Sequence, residues 1–115
     1  MRKSLTKLEI VKSRLEIDSI FRNGKSFSCS GLRVIVVSNS LEYSRVIVIP
    51  VKHYGNSVQR NHIRRQYKEI FRTNKSSINT GFDFAFIVYK GKTASYEEKK
   101  DKLISLLNQA GLCQV

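Results

Sequence analysis

Acidic residues are scarce in this chain. Nine Asp and Glu stand against 21 Lys and Arg, a formal net charge of +12 over 115 residues. A small domain with that excess repels itself unless a partner compensates. The charge therefore points to nucleic acid, an anionic membrane or an acidic protein. Cysteine is scarce too. Cys29 and Cys113 lie far apart, with no CxxC pair and no histidine at metal-ligand spacing. That excludes a disulfide or zinc framework and leaves ordinary thiols. Proline occurs once, and no stretch rich in Pro or Gly divides the chain. There is no internal repeat and no low-complexity tract. No apolar run is long enough to span a bilayer or to follow the basic start Met1-Arg2-Lys3 as a signal peptide. The reading is a single cytoplasmic domain over residues 1–115, with 1–12 a flexible basic arm.

Catalytic patterns are equally thin. His53 and His62 are the only histidines, and neither lies in a nucleophile motif. No carboxylate pair stands in a setting for acid/base work, and no phosphate loop or dinucleotide fingerprint occurs. The chain reads as a binder with no catalytic residue of its own, and neither an organic cofactor nor a protein metal site is expected.

What is present is a sorted helix, Gly55-Asn56-Ser57-Val58-Gln59-Arg60-Asn61-His62-Ile63-Arg64-Arg65-Gln66-Tyr67-Lys68-Glu69-Ile70-Phe71-Arg72. At about 100° per residue, with Arg60 at zero, Arg64 falls near 40°, Lys68 near 80°, Asn61 near 100°, Arg72 near 120° and Arg65 near 140°. Ile63, Tyr67, Ile70 and Phe71 occupy the adjoining arc. One stripe faces a core and its neighbour is cationic, with Glu69 the only acid in the run. Like charges at i,i+4 repel, so such a stripe calls for an anion, and guanidinium forks match phosphate oxygens. Lys52 and His53 stand just ahead of it.

The remaining elements follow from local signals. Ser13 and Glu16 have capping-box spacing, opening a short helix with Ile17, Ile20 and Phe21 on its apolar side. Asn23-Gly24 closes it, with glycine as a left-handed stop. Residues 27–38 read as one strand and 45–51 as a second, with Pro50 marking an edge or a bulge. Asn56 or Ser57 caps the basic helix. Residues 82–89 form a strand, and Ser95 caps a last helix that ends at Gly111. The order α-β-β-α-β-α makes a small α+β two-layer sandwich with a β-α-β crossover. Phe21, Ile17, Arg33 and Ile35 form either a surface suited to single-stranded nucleic acid or plain packing of the first helix on the sheet.

The run Arg45-Val46, Lys52, Gly55-Asn56-Ser57-Val58, Arg60-Asn61, Ile63-Arg64-Arg65, Lys68-Glu69 closely resembles the signature of the bacterial ribonuclease P protein component. Ile20-Phe21-x-x-Gly24, Asp83-Phe84-Ala85-Phe86-Ile87 and Tyr96-Glu97-Glu98 resemble further parts of it. Departures are Ile47 where the family has Gly, Pro50-Val51 for a Val-Ser step, and His53 for a second Lys. Ile17 stands where an aromatic is usual, and Ile10-Val11 stand for Arg-Leu. The resemblance implies a left-handed crossover, opposite to the general rule. It implies a ribonucleoprotein endonuclease whose RNA subunit, with Mg²⁺ bound mainly by the RNA, removes the 5′ leader of precursor tRNA. The implied partners are the ribonuclease P RNA and precursor tRNA, with no membrane. The implied RNA-binding residues are Lys52, His53, Arg60, Asn61, Arg64, Arg65 and Lys68. Ile17, Phe21, Arg33 and Ile35 are the implied leader cleft, with Arg64 and Lys68 at its rim. The alternative is a small ribosomal RNA-binding protein with no role in cleavage. A DNA-binding regulator ranks lower, because a β-branched strand stands where a positioning helix belongs.

Overall fold

The structure, a computed structural model, describes residues 10, 13–29, 31–74, 77–90 and 95–111. Its elements are α1 (Arg14–Asn23), β1 (Lys25–Cys29), β2 (Leu32–Ser38), β3 (Arg45–Pro50), α2 (Ser57–Asn74), β4 (Phe82–Val88) and α3 (Tyr96–Gln109). They build one four-stranded sheet in the order β1-β2-β4-β3. β1–β2 and β2–β4 are antiparallel, and β3–β4 is parallel. Helix α2 is thus the crossover between adjacent parallel strands, as expected of an α+β sandwich of this kind.

The run 27–38 is not one strand. It belongs to a hairpin in which Cys29 pairs with Leu32 and Gly31 turns the chain at φ +81°. Only glycine takes that conformation without strain. The element order therefore gains a strand, α-β-β-β-α-β-α. Pro50 ends β3, which is the edge strand beside β4, so its missing N–H costs no ladder bond. Ile10 bridges Val46 in parallel on that strand, while the rest of the expected arm, residues 1–9 and 11–12, lies outside the described residues. Cys113 lies outside them as well; Cys29 is exposed on β1.

Strand alternation gives the sheet two apolar faces. Leu32, Val34, Val36, Val46, Val48, Phe84, Phe86 and Val88 face α2 and α3, meeting Ile63, Tyr67, Ile70, Phe71, Leu103, Leu106 and Leu107. Phe71 sits 5.8 Å from Phe84 and 6.2 Å from Phe86, ring centre to ring centre. These tilted contacts suit the aromatic quadrupole. The opposite face carries Ile35, Ala85 and Ile87, which α1 covers through Ile20.

Helix ends show which local signals hold. Asn56 caps α2: the Gln59 N–H donates to Asn56 Oδ1 at 2.9 Å, and the Asn56 N–H donates to Gln59 Oε1 at 3.0 Å. Two otherwise orphaned donors are satisfied reciprocally. Ser95 Oγ accepts the Glu98 N–H at 3.2 Å, and Gly111 leaves α3 at φ +74°. The capping box at α1 does not form. Ser13 makes no side-chain cap bond, and the Glu16 carboxylate that would complete the box turns to the Arg45 guanidinium. Gly24 is extended, at φ −79° and ψ 155°, and is no left-handed stop. Its lack of a side chain serves close approach: a Cβ there would lie 2.5 Å from the Ile20 carbonyl oxygen and 2.5 Å from Ile35 Cγ2.

Candidate nucleic-acid interface

The core-facing arc of α2 is buried as the helical period requires, and the opposite arc carries the site. Asn61, His62 and Arg65 are exposed, with Val58 at 77% exposure on the same outward line. Arg60, Arg64 and Lys68 are half-buried at the flank. The Arg64 Nη1 donates to Asn61 Oδ1 at 3.1 Å, which orients both side chains without neutralising the cation. Among the described residues Arg64, Arg65 and Lys68 have no carboxylate partner. Their charge stays available to an anion in solution.

Two cations of the stripe are committed elsewhere. Arg60 Nη1 donates to the Val51 carbonyl at 2.6 Å and the Lys52 carbonyl at 3.4 Å, and Nη2 to the Pro50 carbonyl at 3.3 Å. Arg60 thus latches the first turn of α2 to the chain leaving β3. That latch holds the segment on which Lys52 and His53 are exposed. Arg72 pairs with Glu69, Nε to Oε2 at 2.9 Å. The hydrogen bond from Arg72 holds the Glu69 carboxyl below the usual carboxylate range. The only acid of the helix stands one turn from Arg65 but is committed to Arg72.

Two further carboxylates, Asp83 and Glu16, are engaged by Arg45. Asp83, 5% exposed, accepts Arg45 Nε on Oδ1 at 2.8 Å and Nη2 on Oδ2 at 2.6 Å. Asn39 Nδ2 donates to the same Oδ1 at 2.8 Å. Glu16 takes the remaining Nη1 of Arg45. The Asp83 hydrogen bond raises the Arg45 pKa, so the guanidinium is charged at any working pH. Among the described residues no three His, Cys, Asp or Glu gather into a metal-binding group.

On the second face of the sheet, Ile17, Val37, Ile47 and Val51 are half-buried around the Ile20–Ile35 cluster. Phe21 is 45% exposed beside them on α1. Arg33 is exposed, its Nε donating to Ser26 Oγ across the β1–β2 hairpin at 2.6 Å. Ile35, at 3% exposure, lies beneath α1 and shapes the face from below. Sequence reasoning had not singled out Ile47 and Val51 as part of this strip. The alternation 47, 49, 51 against 46, 48, 50 carries the signal, but only the position of α1 shows which face it marks.

A parallel crossover whose helix presents cations without carboxylate partners and an amide away from the core defines a small basic α+β domain with a cationic outer face. Comparison with known proteins narrows this class. The family model described as Ribonuclease P matches residues 5–111, and the chain belongs to the bacterial ribonuclease P protein component family. It is 34% identical over 111 residues to the ribonuclease P protein component of Clostridium novyi, spanning 94% of this chain and 98% of that one. It is 32% identical over 114 residues to that of Thermotoga maritima, spanning 95% and 97%. The solved RNase P protein of Thermotoga maritima superposes with a TM-score of 0.81 at 30% identity, covering 88% of this chain and 96% of that one. A mutant Staphylococcus aureus RNase P protein superposes at 0.84 and 25% identity, covering 92% and 91%. The chain thereby has a role in ribonuclease P and in tRNA processing. Among the described residues no helix is long and apolar enough to cross a membrane.

Proposed function

We propose that this chain is the RNA-binding subunit of a cytoplasmic ribonuclease P, that α2 docks on the ribonuclease P RNA, and that the strip beside α1 holds the 5′ leader of precursor tRNA. The observation that carries the reading is the carboxylate-free cationic face of α2, Arg64, Arg65 and Lys68 with Asn61 among them. Such a face lowers the repulsion between two RNA molecules brought together. Lys52 and His53 extend it at the helix entrance, and Arg60 shapes that entrance through its three carbonyls. Phe21, Ile17 and Arg33 offer a stacking surface, an apolar wall and a cation to a flexible strand, with Ile35 beneath them. That combination grips bases and phosphates without demanding one sequence.

The cleavage chemistry belongs to the RNA subunit with Mg²⁺ in this reading. The protein binds and orients; it supplies no nucleophile and no proton carrier.

Mixing the protein with a bacterial ribonuclease P RNA and a precursor tRNA at low Mg²⁺ tests the proposal. Leader release is expected to rise with protein present and to be absent with protein alone. Tight binding to structured RNA with no stimulation would move the assignment to a structural role such as ribosomal RNA binding. Phe21→Ala is expected to weaken precursor binding more than mature tRNA binding; equal losses would remove the leader from this strip.

A further inference from the structure

Helix α1 is short, and one side chain, Ile20, is all that it buries fully. A ten-residue helix is marginal by itself, so its placement depends on tertiary restraints. At its C-terminal end the restraint is steric. The chain at Gly24 lies so close to Ile20 and Ile35 that no side chain fits between them. Its N-terminal end has no side-chain cap. The polar tie there is Glu16 to Arg45, and Arg45 is itself fixed by two hydrogen bonds to the buried carboxylate of Asp83. Asn39 braces that carboxylate from the turn after β2. The tie therefore runs from α1 through the first residue of β3 to the central strand β4.

We infer that Glu16, Arg45 and Asp83 act as a strut that sets how α1 stands over the second sheet face, which makes Glu16 a positioning residue for the leader. The inference rests on the leader-binding role proposed for that strip. Ile17 follows Glu16 directly, so movement at this end shifts Ile17 relative to Ile47 and Val51. Phe21 lies nearer the Gly24 end and moves less. Releasing the strut opens one end of the strip and leaves the cationic face of α2, on the other side of the sheet, as it was.

The test measures holoenzyme affinity for precursor and mature tRNA with wild-type protein and with Glu16→Ala, Glu16→Gln and Phe21→Ala. Glu16→Ala is expected to weaken precursor binding by up to about fivefold, the factor matching a half-exposed ion pair. Mature tRNA and free ribonuclease P RNA should bind as before. Glu16→Gln keeps an acceptor for the guanidinium and should recover part of the loss. Amide exchange of Ile17 and Ile20 should quicken in Glu16→Ala. Leader-specific loss in Phe21→Ala with none in Glu16→Ala would overturn the strut and leave the leader strip standing. No leader-specific loss in either variant would overturn both.

Discussion

Replacing Arg65 and Lys68 together by alanine separates a cationic face that meets RNA from one that is merely solvated. Neither side chain has a carboxylate partner among the described residues, and both lie off the buried arc of α2. If each neutralises one phosphate, each contributes about 0.9 to the slope of log affinity against log salt. The double variant should lose about 1.8 units of slope. Between about 50 and 200 mM salt, a factor of four, wild-type affinity should fall about 12-fold more than that of the variant. Arg60→Ala is the control that a helical wheel cannot supply. Its guanidinium is committed to the carbonyls of Pro50, Val51 and Lys52. Its loss should cost about 1–2 kcal/mol of stability and leave the slope near the wild-type value. The assay is titration of labelled ribonuclease P RNA at stepped salt, with urea unfolding of each variant alongside. A wild-type slope in a folded Arg65→Ala/Lys68→Ala protein refutes the reasoning. So does an Arg60→Ala variant that lowers the slope equally without losing stability.

Three further outcomes follow from the packing. Asp83→Ala leaves Arg45 without its buried partner and should cost about 3–5 kcal/mol in urea unfolding, so a cost near zero would show the pair to be solvated. Gly24→Ala places a methyl 2.5 Å from Ile20 O and Ile35 Cγ2 and should destabilise by about 1–3 kcal/mol, whereas a neutral result would mean that α1 shifts freely. Burial pushes the Tyr67 hydroxyl up to about 12, so the folded state holds that proton more tightly than the unfolded chain does. Its contribution is full below the ordinary tyrosine range and declines as pH rises through it toward the folded value. Tyr67→Phe should therefore flatten the alkaline loss of stability, and an unchanged alkaline limb would contradict the assignment.

The parts of this protein legible in its sequence are those whose causes are local. The sorting of α2 needs only a helical period, and the caps at Ser95 and Asn56 need only a few neighbouring residues. Glu69 and Arg72 are three apart on one helix, so their pairing was also within local reach. The turn at Gly31 had a signal in the Ser30-Gly31 dipeptide, outweighed by β-rich residues on either side. Other features have causes that lie far along the chain. Glu16 turns to Arg45, which reaches it from β3, and Gly24 is small because Ile35 arrives from β2. Ile35 sits in an alternating run, but its burial depends on α1 crossing that face. Arg60 and Arg65 have the same charge on the same helix. They part only because the carbonyls of residues 50–52 come up to meet one of them. Charge pattern can thus nominate a surface, while the backbone that approaches it decides which of its cations remain available to an anionic partner.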